Sequence, residues 1–148
     1  MNEIFARVKN LIVSPKTEWE KISQEENDVK TIAVYLLILA LIPAVCTFIG
    51  YSVFGYKVPF MGYVGSSVSM AIRQALVSYV SSLIGAALAA VVINLLAPSF
   101  SSQQNGGRAF ALVVYSYVPM YVAGVLMILP SLAPITLIAG LYGLYLLY

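Results

Sequence analysis

Acidic side chains that could support acid–base or metal chemistry are concentrated in one short stretch of the chain. Apart from Glu3, they are Glu18, Glu20, Glu25, Glu26 and Asp28, interleaved with Lys16 and Lys21. Paired carboxylates can act as general acid and base, and clustered carboxylate oxygens can bind calcium. This stretch has no glycine-bearing calcium-loop spacing, and its alternating signs are typical of a solvated face. We therefore interpret it as a juxtamembrane surface.

The rest of the chain lacks the groups that membrane hydrolases and proton pumps need. There is no His, and Lys57, Arg73 and Arg108 are the only charged residues after Lys30. The predicted spans contain no His, Asp, Glu or Lys. Each known type of intramembrane hydrolysis (Ser–His, Ser–Lys, paired-aspartate or zinc-dependent) needs at least one of these groups, and a proton relay needs a carboxylate or His. Gly106-Gly107 does not fit a phosphate-loop pattern. The sequence predicts no catalytic, metal-binding or cofactor-binding residue, and hence no enzyme.

The same scarcity of charge indicates an integral membrane protein. Charged residues make up 9% of the chain and hydrophobic residues 61%, whereas about a quarter of a soluble domain is charged. Crossing the hydrocarbon takes about 20 apolar residues in a helix. We predict an all-α, polytopic transmembrane helix bundle in residues 31–148, with four spanning helices near 31–54, 74–97, 109–129 and 131–148. A net charge of +2 gives no support for nucleic acid as a partner.

Lys and Arg near the predicted helix ends indicate the orientation. Five precede the first span, Lys57 and Arg73 fall in the first loop, and Arg108 closes the second. A cytoplasmic N-terminus places six cations inside and two outside, as the positive-inside rule requires.

Residues 1–30 form a separate segment with an amphipathic pattern. At helical spacing its apolar residues share one arc of about 120°, flanked by cations, which predicts an interfacial helix that reaches lipid phosphates. Ser14-Pro15 ends this helix and can start a second one, which carries Trp19. The alternative is a small soluble cap packed on the bundle. The predicted interfacial anchor comprises Phe5, Arg7, Val8, Lys9, Leu11, Ile12 and Trp19.

The second predicted span carries a face of small residues. Such a face allows another helix backbone to approach closely, which is a main cause of helix association in membranes. We interpret it as a packing seam; a hydroxyl-lined conduit is the alternative. The seam comprises Ser78, Ser81, Ser82, Gly85, Ala86 and Ala89.

Two further features concern the third and fourth spans. Pro119 removes a backbone donor and clashes with the preceding turn, so a kink is expected there, either as a moving part or as static architecture. The fourth span stops at Tyr148 without a polar or basic flank, whereas a spanning helix normally ends in an interfacial anchor. We expect the native chain to continue past this residue.

Three segments resemble a known family: RVKNLIVSPKTEWEKI from Arg7, YSYVP from Tyr115, and LYGLYLLY from Leu141. Over essentially the whole chain they are similar to the bacterial branch of the YIP family, the Ypt/Rab-interacting membrane proteins. The resemblance implies a multi-pass protein of the bacterial inner membrane with five spanning helices, the fifth following Tyr148. Eukaryotic relatives are associated with Rab-type GTPases. Transferring Rab binding to the bacterial branch would rest on similarity of fold alone.

Together these features favour a non-enzymatic scaffold or partner-binding protein. Its contacts would be the lipid bilayer and a membrane-protein partner or a second copy of itself. A small transporter or channel for a lipid or neutral solute is the alternative, which substrate-dependent flux would distinguish.

Overall fold

The computed structural model describes residues 2–24, 28–58, 62–129, 132 and 135–147. The fold is a helix bundle with a small two-stranded antiparallel sheet in the first loop, in which Lys57 pairs with Tyr63. The elements are α1 (Asn2–Val13), α2 (Pro15–Gln24), α3 (Val29–Val53), β1 (Tyr56–Val58), β2 (Gly62–Val64), α4 (Val68–Leu96), α5 (Gly106–Ser116), α6 (Val118–Ala123) and α7 (Thr136–Leu147), with 3-10 turns at Ala97–Phe100 and Gly124–Ile128.

Three helical stretches in the described part of the chain are long and apolar enough to cross a membrane: Val29–Val53, Val68–Phe100 and Gly106–Ile128. They overlap the first three predicted spans, and the second begins earlier than expected. The prediction of a fourth span over 131–148 was wrong. The described part of α7 has 12 residues, a length of about 18 Å against a hydrocarbon core of about 30 Å. The prediction counted apolar length across Pro134, where a continuous α-helix is not favoured.

α3 is the central helix, and its start is fixed by Asp28. The Asp28 carboxylate accepts hydrogen bonds from the backbone N–H of Lys30 and Thr31 and from the Thr31 hydroxyl, at 2.7–3.3 Å. These bonds satisfy donors that a helix N-terminus otherwise leaves free. They also stabilise the charged form, so the Thr31 hydroxyl, followed by the two backbone donors, lowers the pKa of Asp28.

Two glycines let the α6 region approach α3 closely. A Cβ built on Gly124 would lie 2.6 Å from the Cβ of Pro43, and one built on Gly50 would overlap the carbonyl oxygen of Met127. Real Cβ atoms do not come so close to neighbouring atoms, so both positions require glycine at this backbone separation. The buried face of α3 continues along Ile32, Tyr35, Leu36, Leu39, Ala40, Ala44 and Thr47.

α4 packs against α3 and α5 but leaves most of its surface uncovered. Only 11% of the residues in its central apolar stretch are buried, against 44% for the α3 span and 50% for the Gly106–Ile128 span. The buried residues of α4 are Ala71, Ala86 and Ala90. Small side chains therefore face the bundle, and large aliphatic ones such as Leu76 and Leu88 face outward.

Candidate functional site

The N-terminal hairpin, defined here as α1 and α2, is packed into the bundle. Leu11 and Ile22 are buried in the same cluster as Ile32 and Tyr35 of α3. The ring of Trp19 meets that of Tyr115 edge to face, with centroids 6.4 Å apart. Since aromatic pairs of this geometry add to the stability gained from burial, the hairpin is an integral part of the core.

A polar cluster joins the hairpin to α5. Its centre is Glu18, which is only 4% exposed. Arg7 places its guanidinium 3.7 Å from Glu18 and donates a 3.0 Å hydrogen bond to the hydroxyl of Tyr115. Asn10 donates to Glu18 at 3.1 Å, and the Lys21 ammonium lies 3.6 Å from its carboxylate. A buried carboxylate is tolerated only with such partners, so this cluster fixes the hairpin in one position.

The interfacial-anchor residues occupy different environments in this structure. Leu11 is buried and Val8 and Trp19 are half-buried, whereas Lys9 and Ile12 are exposed. The guanidinium of Arg7 turns inward to Glu18 and Tyr115, and its expected contact with lipid phosphates stays a prediction. The side chain of Phe5 lies outside the described residues. The packing favours the cap alternative; membrane binding by Lys9 and Ile12 stays a prediction.

The residues of the predicted seam fall on two sides of α4. Ala86 is buried, and Ser78, Ser82 and Ala89 are half-buried against the bundle; Ser81 and Gly85 are exposed. No described atom lies within 4 Å of a Cβ built on Gly85. Two of the six seam residues, Ser81 and Gly85, are thus available to something outside this chain, and the role of the face as a seam stays a prediction.

Pro119 lies at an interruption in the third span. α5 ends at Ser116, and α6 begins at Val118 with Pro119 in its first turn. Proline fits there because the first turn of a helix has no intrahelical partner for its N–H. The break turns Tyr121 into the core, where it is 1% exposed. The function of the predicted kink stays a prediction.

A cavity of about 590 Å³ lies beside the hairpin. Its walls come from α2, the end of α4, the following loop and the start of α5, so the loop between α4 and α5 lies at the same end of the bundle as the hairpin. Its polar and aromatic lining includes Trp19, Asn94, Ser101, Ser102, Gln103 and Arg108. The side-chain oxygen of Asn94 is buried and accepts no hydrogen bond from the described residues. Among the described lining residues, the cavity thus combines a cation and an indole.

Sequence reasoning missed the roles of three residues in this region. Glu18 was assigned to a solvated face, but it shares a helix face with buried Ile22, four residues later. That spacing was the available signal for its burial. Tyr115 and Arg108 were noted only as part of a proline-containing run and as an orientation charge. Their contacts depend on helices far apart in the chain. The described residues contain no group of three His, Cys, Asp or Glu side chains that could hold a metal.

Comparison with known proteins gives one match. The family model of the Yip1 domain matches residues 9–148, which include α2 to α7 and the last five residues of α1. No curated protein and no solved structure matches the chain. The match covers α2, which carries Glu18, and the bundle against which α2 packs, in agreement with the expected resemblance. The chain therefore belongs to the Yip1 domain family.

Proposed function

We propose that this YIP-type membrane protein is a non-enzymatic scaffold that binds another transmembrane helix along the exposed side of α4. The proposal rests on one observation: α4 is long and apolar enough to span a membrane, yet only 11% of the residues in its central stretch are buried by the rest of the protein. On that surface Ser81 and Gly85 are exposed. Lipid contacts large aliphatic side chains well, whereas small residues let a second backbone approach.

A matched pair of substitutions tests this surface. Gly85 and Ala87 are both exposed, small and at the same depth in α4, but they flank buried Ala86 on opposite sides. Gly85→Leu should block helix association and Ala87→Leu should not, with both variants folding equally well. Association is measured in native membranes by cross-linking between copies of Ser81→Cys in a Cys46→Ala background, and by quantitative co-purification of membrane partners. Equal association of both variants would overturn the α4 assignment.

We further propose that the hairpin end faces the cytoplasm of a bacterial cell, in the inner membrane. The excess of Lys and Arg in the first 30 residues supports this. Ser23 and Gln103 line the same cavity and must lie on the same side. In a Cys46→Ala background, Ser23→Cys and Gln103→Cys should be protected from a membrane-impermeant thiol reagent in intact cells, while Ser66→Cys is labelled. Labelling at Ser23 from outside would reverse the orientation.

A small transporter for a lipid or neutral solute is the second candidate. The polar cavity beside the hairpin favours it, because a transporter needs a binding site between helices. Purified protein in liposomes should then give a flux that a saturating substrate competes for. The Yip1 family is not known as an enzyme family, so catalysis is not proposed.

A further inference from the structure

We propose that the cavity beside the hairpin binds the headgroup of an anionic glycerophospholipid, such as phosphatidylglycerol. The cavity's volume of about 590 Å³ falls within the roughly 300–1,000 Å³ of small-molecule sites. Arg108 is the only charged residue among the described residues that line it. The site therefore selects an anion.

The surroundings of Arg108 leave its guanidinium available for that anion. No carboxylate forms a salt bridge with it among the described residues, whereas Arg7 and Lys21 are both committed to Glu18. Arg108 lies in the first turn of α5, whose cap Asn105 bonds the Arg108 amide at 3.0 Å. The guanidinium presents donors in a fork that matches phosphate oxygens.

The net charge of the headgroup is a second consideration. A phosphatidylglycerol headgroup is a net anion, and its phosphate oxygens can accept hydrogen bonds from the Arg108 guanidinium. A phosphatidylcholine headgroup adds a quaternary ammonium, which Arg108 repels and which has no N–H or O–H to donate.

The position of the cavity indicates a lipid as the source of this phosphodiester. It is bounded by the ends of two candidate membrane spans, Val68–Phe100 and Gly106–Ile128, so it lies where spanning helices leave the hydrocarbon. Lipid headgroups occupy that layer. Trp19 lines the same cavity and is a residue type enriched at this depth. The headgroup would enter between α2 and the loop after α4.

Trp19 makes the test direct, because it is the only tryptophan of the chain. The full-length protein in a neutral maltoside detergent is titrated with short-chain phosphatidylglycerol, with phosphatidylcholine of equal chain length, and with inorganic phosphate. Tryptophan emission is followed throughout. We expect a saturable change with phosphatidylglycerol that is at least about tenfold tighter than with phosphatidylcholine. Inorganic phosphate binding as tightly as phosphatidylglycerol would overturn the lipid assignment.

One variant and one control connect that signal to the cavity. Arg108→Gln should weaken phosphatidylglycerol binding about tenfold by removing the charge-assisted bonds. Arg73→Gln is the control, because Arg73 is an exposed arginine near the opposite end of α4. If Arg108→Gln and Arg73→Gln bind alike, or if no lipid gives a saturable signal, the proposal is wrong.

Discussion

α3 and α4 are long apolar helices of similar composition, with mean hydropathies of 2.7 and 2.2 over their most apolar stretches. The bundle nevertheless covers them very differently, since 44% of that stretch is buried in α3 and 11% in α4. In α3 the contacts come from backbone approaching glycine, as at Gly50. In α4 a glycine of the same kind, Gly85, meets open space. Hydropathy therefore identifies a helix whose side chains are removed from water. Only the packing shows whether those side chains contact protein or lipid.

The largest expected effect compares those two glycines directly. Gly50→Ala should destabilise the protein by about 1–3 kcal/mol, since the new methyl group meets the Met127 backbone carbonyl, which cannot rotate away. Gly85→Ala should be neutral or stabilise α4 by about 0.5–1 kcal/mol, because alanine favours helix and nothing obstructs it. Thermal unfolding in detergent, followed by circular dichroism, measures both. Losses of equal size would remove the distinction between the two helices.

The second test examines whether the N-terminal hairpin is held on the bundle by the interaction between Arg7 and Glu18. Arg7→Met keeps the length of the side chain but leaves Glu18 with Asn10 and Lys21 alone. We expect a loss of about 1–3 kcal/mol, as for a buried acceptor deprived of a partner. In the Glu18→Gln background the same substitution should cost less, because the charge that Arg7 neutralises is gone. A double-mutant cycle of unfolding free energies checks this; additive losses would contradict a direct Arg7–Glu18 interaction.

A smaller effect is expected where α7 touches the hairpin. The Tyr142 hydroxyl donates a 3.1 Å hydrogen bond to the carbonyl oxygen of Ile12. Tyr142→Phe should lower stability by about 0.5–1.5 kcal/mol. Tyr145→Phe is the control, because Tyr145 is 59% exposed. If the two variants unfold at the same temperature, the hydrogen bond between α7 and the N-terminal hairpin does not contribute to stability.

The smallest effect concerns the cap of α3 and depends on pH. Asp28 has a pKa lowered by hydrogen bonds from Thr31 and the helix start. Its charged form therefore contributes stability above its unfolded-state pKa, and this contribution is lost as the pH falls through the lower folded-state value. The wild-type protein should lose slightly more stability than Asp28→Asn between neutral pH and strongly acidic pH. Parallel pH profiles for the two proteins would show that the cap carries no charge-dependent stability.

The sequence predicted those parts of the fold that depend on local pattern. Long apolar runs located three spans, and Pro15 and Pro119 marked a helix start and an interruption. It failed where length was counted across a proline, near Pro134. It also placed Glu18 toward solvent, although this residue is buried, because an amphipathic pattern does not tell a membrane surface from a protein surface. Tyr115, to which Arg7 donates a hydrogen bond, lies in another helix, so this contact could not be read from local pattern.

The bond between Arg7 and Tyr115 also sets an order for biosynthesis. These two residues are 108 positions apart, and a ribosome adding roughly 5–20 residues per second needs about 5–20 s to make that interval. The N-terminal hairpin is synthesised first, whereas Tyr115, which contacts Arg7 and Trp19, is synthesised much later. The contact between Arg7 and Tyr115 therefore forms only after α5 has been made, so it is a late step of assembly.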